Sequence, residues 1–145
     1  MADVRGCHLP EDLLYDVGNH IWVKELDDGK IRIGMTSVAT ALAGKLVAFT
    51  PKKVGRKVKA GRSCATVESG KWVGPAKSAA GGEVLAVNED LRETPALAND
   101  DPYAAWMVEI QPEDWDTVRG TYTAGSDVAA PYEAKMDEDG FAGCE

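Results

Sequence analysis

The sequence predicts a mainly β protein, a small sandwich or barrel with short helices and a C-terminal helical or loop appendage. Three observations lead to this fold class. Short runs alternate apolar and polar residues, tight-turn signals separate these runs, and the 145-residue chain has the size of one domain. Because 44% of the residues are hydrophobic, the chain can fill a core, and a wholly disordered chain is excluded.

The first predicted unit is a hairpin followed by a helix. Residues 19–24 alternate as a strand does, Asp28-Gly29 is typical of a hairpin turn, and residues 31–35 alternate again. Thr36 and Ser37 then favour a helix N-cap, which predicts a short helix over 38–43 that ends at Gly44.

The remaining strands are predicted at 46–49, 64–68, 72–73, 83–88 and 106–110. Ser69 and Gly70 indicate a tight turn immediately before Lys71. After Pro112 the chain becomes acidic and loop-like, with short helical patches. These later residues therefore predict the appendage rather than further core strands.

Charge is distributed unevenly along the chain. The net charge is −8, yet residues 45–62 contain seven Lys or Arg residues and no acid. Such a run can bind an acidic protein or nucleic acid, or simply form a solvated face around a β-turn. Because the acidic remainder would repel a long polyanion, we expect no nucleic-acid partner.

Hydropathy argues against membrane insertion and secretion. No apolar run approaches the roughly 20 residues that span a bilayer, and the polar N-terminus lacks the layout of a signal peptide. We therefore expect a cytoplasmic protein with no membrane partner.

The three cysteines, Cys7, Cys64 and Cys144, are widely spaced and form no metal-ligand pattern. Cys64 lies in a strand-like run and is expected to be a small buried residue. Chain termini often lie close together, which makes Cys7 and Cys144 a candidate redox-linked pair. No metal site and no catalytic residue are predicted.

The segment Glu68-Ser69-Gly70-Lys71 places one lysine at a turn between two strands. A carrier protein needs such a lysine, because a rigid hairpin holds the attachment point while the flexible stem lets an attached group swing. A lone lysine in a hairpin turn is, however, most often only a solvated residue. The lysine by itself leaves both interpretations open.

The surroundings of Lys71 resemble the H protein of the glycine cleavage system and the wider lipoyl-carrier family. The family motif Glu-Ser-x-Lys fits residues 68–71, and residues 20–23 are similar to its His-Glu-Trp-Val motif, with Ile21 in place of the acid. Further matches in the family's order lie at 34–36, 58–61, 82–88 and 94–106, and they include Asn99. The likeness covers roughly residues 15–111.

This resemblance implies a barrel-sandwich hybrid fold that carries lipoic acid in amide linkage on Lys71. Glu68, Ser69, Gly70 and Trp72 would form the hairpin around the attachment point. A single carrier domain over 1–145 is implied, with a core at about 15–111, an N-terminal extension at 1–14 and the appendage at 112–145. Such a protein is not an enzyme, and its first partner would be a lipoate-attaching ligase.

Departures from the usual H-protein pattern bear on the chemical group that the lipoyl arm would carry, which we call the cargo. Residues 72–77 (Trp-Val-Gly-Pro-Ala-Lys) follow the lysine, Ala79 replaces a proline, and the run 45–62 is basic where H proteins are commonly acidic. Together with the N-terminal extension, these features resemble lipoate-binding proteins of heterodisulfide-reductase-like sulfur oxidation. That likeness implies a sulfur cargo, with a heterodisulfide-reductase-like complex and sulfur-transfer proteins as partners.

Other functions are less well supported. As a glycine-cleavage H protein, the chain would instead carry an aminomethyl group between glycine cleavage enzymes. Biotin carriers normally have methionines on both sides of their lysine, where this chain has Gly70 and Trp72. A free-standing enzyme that uses Cys7, His8 or Cys144 has little support.

Overall fold

The computed structural model describes residues 2–144, which are folded mainly into short β-strands. The strands are β1 (Ala2–Val4), β2 (Cys7–Leu9), β3 (Leu14–Asp16), β4 (Ile21–Glu25), β5 (Ile31–Met35), β6 (Leu46–Pro51), β7 (Lys57–Val58), β8 (Ser63–Ser69), β9 (Val73–Lys77), β10 (Gly82–Val87), β11 (Val108–Pro112) and β12 (Thr123–Ala124). The helices are α1 (Ser37–Ala43), α2 (Glu89–Glu93), α3 (Leu97–Asp100), α4 (Trp115–Val118) and α5 (Ala129–Asp139). The expected mainly β class with short helices is confirmed.

The strands form three antiparallel sheets. The largest has the order β12-β3-β4-β5-β11-β10-β7, a second has the order β6-β8-β9, and β1 pairs with β2. Over residues 2–144 these sheets do not close into a barrel.

The predicted hairpin and helix are both confirmed. In the hairpin, the Leu26 N–H donates to the Lys30 carbonyl at 2.8 Å, and Gly29 takes the positive φ of 82° that the turn requires. In α1, the Thr36 hydroxyl accepts a hydrogen bond from the Ala39 N–H at 3.2 Å, and the helix ends at Gly44. The helix therefore begins one residue before the predicted range.

The main core brings buried side chains of the large sheet together with those of β6, β8 and α1. It includes Ile21, Val23, Ile33, Phe49, Val67 and Ile110. A second cluster, which includes Leu9, Trp22, Val38, Tyr132 and Met136, joins the two terminal segments to α1. The indole of Trp22 lies against Gly34, where an added Cβ would be 2.4 Å from the ring. Only glycine fits at that position.

The terminal segments are more ordered than the sequence predicted. Cys7 and Cys144 are joined in a disulfide bond, and the Cys144 N–H donates to the Arg5 carbonyl at 2.9 Å. The appendage contributes β12 to the large sheet, while α5 buries Tyr132 and Met136 in the second cluster. The chain ends thus pack on each other and on the N-terminal part of α1. Among the described residues, no helix is both long and apolar enough to cross a membrane.

Candidate functional site

Lys71 lies in the three-residue turn that joins β8 to β9. The Ser69 N–H donates to the Trp72 carbonyl at 2.7 Å, which closes the turn. The Ser69 side chain is buried and accepts from the Lys71 N–H at 3.3 Å while it donates to the Trp72 carbonyl at 3.4 Å. Ser69 therefore fixes the backbone on both sides of the lysine, which gives the motif's serine a physical reason.

The Lys71 side chain is exposed and leans toward the end of α1. Its Cε lies 3.2 Å from the position that a Cβ would take at Gly44, whose φ is 81°. Lys71 forms no ion pair with another described residue. The amine is therefore accessible for modification, and the stem of the side chain is directed along the protein surface.

The loop against which Lys71 leans is held by Asn99 of α3. Asn99 Nδ2 donates to the Gly44 carbonyl and Asn99 Oδ1 accepts from the Leu46 N–H, each at 2.9 Å. The asparagine thus bridges both ends of the connection between α1 and β6. This explains in physical terms why an asparagine belongs at this place in the sequence.

A groove of about 500 Å³ begins at Lys71 and runs between α1 and the β8–β9 hairpin. Most of its wall is apolar, and the lining residues are Asn19, His20, Ile21, Met35, Ala39, Leu42, Ala43, Val67, Lys71, Trp72, Pro75 and Ala76. Its size and apolar wall are typical of sites that hold small, largely hydrophobic groups.

Trp72 forms the wall of the groove next to the lysine. Trp72 is 41% exposed, and its indole lies over Gly74, where an added Cβ would be 2.4 Å from ring atom Cζ2. Gly74 therefore allows the ring to lie flat along β9. Gly70, by contrast, has open space around its missing Cβ.

His20 supplies a polar wall of the same groove. Its backbone is left-handed (φ 58°), its ring stacks on Tyr132 at 5.6 Å, and its Nδ1 is 2.8 Å from the Tyr132 hydroxyl. Its Nε2 lies 3.6 Å from Asp139 Oδ2. Burial lowers the pKa of His20 below its ordinary value, although the nearby Asp139 carboxylate opposes this shift.

The bond between His20 Nδ1 and the Tyr132 hydroxyl gives His20 a structural role. Its place in the groove wall was missed. The two partners of the imidazole come from α5, more than 100 residues away, and no local signal in the sequence reveals them.

The cysteines lie away from Lys71. Cys144 Sγ is 3.6 Å from the carbonyl oxygen of Ser37, the first residue of α1, whereas Lys71 lies beyond the last residue of that helix. Cys64 is fully buried, and burial raises the pKa of its thiol to about 12, as expected for a core residue rather than a nucleophile. Within residues 2–144, no cluster of His, Cys, Asp or Glu has the grouping of a metal site.

The basic run 45–62 does not surround Lys71. The register of β6 on β8 pairs Leu46 with Ser69 at the lysine end and Pro51 with Ala65 at the other end. Among the cations of this run, Lys45 lines the pocket beside the lysine turn. The whole run therefore does not lie beside Lys71, because β6 carries the chain away from the lysine turn before residues 52–62 begin.

Fold and site together define a small, mainly β protein that presents a lysine on a rigid hairpin turn beside an apolar groove. Residues 13–133 match the glycine cleavage H-protein family. The chain is 48% identical over 145 residues to glycine cleavage system H protein 5 of Aquifex aeolicus, with 97% of each chain covered. It is 39% identical over 132 residues to probable glycine cleavage system H protein 2 of Sulfurisphaera tokodaii, with 89% of each covered.

Among solved structures, a crystal structure of a glycine cleavage system H protein from Mycobacterium marinum is similar, with a TM-score of 0.74 and 33% identity. That match covers 91% of this chain and 99% of the other. The chain belongs to the glycine cleavage H-protein family. Proteins of this family are lipoyl carriers rather than enzymes, and they carry lipoate covalently attached to a lysine.

The residues present fit such a group. Lipoate attached through an amide is a neutral, mostly apolar chain that ends in a dithiolane ring. Lys71 offers an exposed amine, and the groove beside it offers an apolar wall formed by side chains such as Leu42, Val67 and Pro75. A neutral amide with an apolar chain is compatible with such a wall.

Proposed function

We propose that this chain is a lipoyl carrier in which Lys71 bears lipoate in amide linkage. The observation that carries the proposal is the exposed Lys71 amine on a fixed hairpin turn at the mouth of an apolar groove. Glu68, Ser69, Gly70 and Trp72 complete the hairpin. When attached, the dithiolane supplies a disulfide that opens to two thiols and closes again.

Each part of the site has a separate task in this proposal. Ser69 holds the turn rigid, so that the attachment point does not move relative to the body. The Lys71 stem supplies the reach, and Gly44 lets the stem pass close to the backbone. Trp72 and the apolar wall exclude water from an arm that rests in the groove.

Attachment is tested by intact-mass analysis after treatment with a lipoate ligase. We expect one lipoyl addition on the wild type and none on Lys71→Ala. Lys45→Ala is the matched control, because Lys45 is an exposed lysine that borders the same turn. A lipoyl addition that persists in Lys71→Ala contradicts the assignment.

For the cargo, we propose the aminomethyl group of glycine cleavage, with the glycine cleavage enzymes as partners. Support comes from the family and from relatives at 48% and 39% identity that are named glycine cleavage system H proteins. In this function Lys71 would hold the lipoyl arm, and the chain itself provides attachment and shelter.

A sulfur cargo in heterodisulfide-reductase-like oxidation is the second candidate, and the departures near the lysine favour it. Trp72 presents a half-exposed indole at the mouth of the groove, and Gly74 and Pro75 follow in β9. These residues change the surface that a partner of the arm would meet. The names of the relatives give this candidate no support.

One paired experiment separates the two cargoes. The lipoylated protein is tested for glycine-dependent bicarbonate exchange with glycine cleavage enzymes, and the reduced protein is tested for loading with thiosulfate-derived sulfur. Glycine exchange without sulfur loading supports the aminomethyl cargo. Sulfur loading without glycine exchange supports the second candidate and overturns the first.

The proposal extends to the rest of the chain. We propose a barrel-sandwich hybrid core at about 15–111, flanked by segments 1–14 and 112–145, in a protein that works in the cytoplasm. The Cys7–Cys144 pair is proposed to be redox-linked, because half-buried Cys144 is the accessible partner of fully buried Cys7. Alkylation of thiols in freshly lysed cells tests this, and a pair that is never found reduced under any growth condition contradicts it.

A further inference from the structure

Six cations lie together at the end of the three-stranded sheet that is remote from Lys71. We call this surface the basic end, defined by Lys52, Lys53, Arg56, Lys57, Lys59 and Arg62. Lys52 is half-buried and the other five are exposed. The segment 52–62 contributes +6 to a net charge of −8, so the rest of the chain carries −14.

The backbone of the basic end is held in place. The Gly55 N–H donates to the Val84 carbonyl at 2.8 Å, and the Val84 N–H donates to the Arg56 carbonyl at 2.9 Å. Farther along, the Gly61 N–H donates to the Ser78 carbonyl at 2.8 Å. The cations are therefore carried by two ordered turns rather than by a free loop, so the spacing of their backbone positions is set before any partner binds.

These charges are not paired with acids in the part of the chain that the structure describes. None of the six cations forms an ion pair with another residue in the range 2–144 that the structure describes. Two acids lie on the neighbouring chain: Glu83 is the register partner of Lys57, and the Glu113 N–H donates to the Gly81 carbonyl. A concentrated positive potential on an acidic protein is expected to attract an acidic surface.

The basic end is separated from the lysine turn by the length of β8. Lys52 donates its N–H to the Cys64 carbonyl at one end of that strand, and Ser69 begins the lysine turn at the other. Six residues of strand span about 20 Å. A partner bound at the basic end therefore leaves the Lys71 hairpin uncovered.

We propose that the basic end is a docking surface for an acidic protein surface, which holds the carrier while its lysine hairpin remains free to visit other sites. Val54 is 59% exposed in the turn between Lys53 and Arg56 and offers an apolar contact beside the cations. A long nucleic acid would extend from these six cations onto a body that carries −14. A compact acidic protein surface avoids that repulsion, which is why it is the favoured partner.

The test uses the full chain and three probes. They are a synthetic peptide rich in glutamate and leucine, a uridylate RNA of equal charge, and phosphatidylserine vesicles. Affinity is measured by fluorescence anisotropy for the peptide and RNA and by co-sedimentation for the vesicles, at low and at physiological ionic strength. Lys53→Glu/Arg56→Glu is compared with Lys24→Glu/Lys45→Glu, which makes the same change in net charge with exposed lysines elsewhere.

We expect the peptide to bind the wild type and the control variant within about threefold, and the basic-end variant about tenfold or more weakly. Binding should weaken as salt rises, because exposed charges are screened. Lys71→Ala should bind like the wild type, so failure of the lipoate assignment would leave this result unaffected. Equal weakening of both charge variants, or tighter binding of RNA or vesicles than of peptide, overturns the proposal.

Discussion

Asn99→Ala is expected to be one of the most damaging single truncations near the lysine site. The asparagine accepts a hydrogen bond from the Leu46 N–H and donates one to the Gly44 carbonyl, both at 2.9 Å. Leu46 is only 2% exposed, so its N–H has little access to replacement water. Truncation to alanine therefore removes two hydrogen bonds and leaves at least one buried donor without a partner.

The size of the loss follows from those two contacts. Losing the bond to the Gly44 carbonyl costs about 1 kcal/mol net, and leaving the buried Leu46 N–H unsatisfied costs about 1–3 kcal/mol. We expect the free energy of unfolding of Asn99→Ala to fall by about 2–4 kcal/mol, a large share of the roughly 5–15 kcal/mol typical of a domain. Urea denaturation measures the change, and amide hydrogen exchange should show faster exchange at Leu46.

Asn88→Ala is the matched control. Asn88 is the residue before α2, whereas Asn99 lies within α3. The Asn88 side chain makes no capping hydrogen bond. We expect its truncation to change stability by less than about 1 kcal/mol. If Asn99→Ala costs no more than Asn88→Ala, or if Leu46 exchange is unchanged, the assigned role of the asparagine bridge is wrong.

Three further predictions concern the groove and its surroundings. Gly74→Ala should displace the Trp72 ring and shift its fluorescence, because a Cβ at position 74 would meet the indole. Gly70→Ala should leave the fluorescence spectrum unchanged, because a Cβ at position 70 has open space. Equal spectra for the two variants would contradict this packing. Cys144→Ser should lower the free energy of unfolding by about 2–5 kcal/mol, because the disulfide joins residues 137 apart and constrains the unfolded chain. Reductant should then lower the free energy of unfolding of the wild type only. A wild type whose stability is insensitive to reductant would refute the assigned constraint. Because the folded-state pKa of His20 is lowered below 6.5, the unfolded chain binds the proton more readily, so stability should fall as pH drops below about 6.5, by at most about 1.4 kcal/mol per pH unit. His20→Asn should remove this part of the slope in denaturation measured between pH 7.5 and 5, and an unchanged slope would contradict it.

Local signals in the sequence predicted the elements that position the lysine. The turn residues Asp28 and Gly29, the cap Thr36 and the helix stop Gly44 all act through their own backbone neighbours, and the structure has each in its predicted place. The turn before Lys71 was predicted in the same way. These features depend on short-range geometry, which the order of residues specifies directly.

The groove could not be predicted in the same way, because distant segments build it. Its His20 wall depends on Tyr132 and Asp139 of α5, and its floor joins Val67 of β8 to Ala39 of α1. The sequence likewise does not tell which end of the β6–β8 pair lies beside Lys71 and which end lies away from it. Only the register of the strands shows that the basic run leads away from the lysine.

The most direct test of the central claim is to map the lipoyl group on protein from cells that make lipoate. The purified chain is digested, and tandem mass spectrometry locates the modified lysine. We expect the lipoyl group on Lys71 alone, with Lys45 and the lysines of the basic end unmodified. A lipoyl group on any other lysine, or an unmodified Lys71 in cells whose other lipoyl proteins are fully modified, would contradict the account.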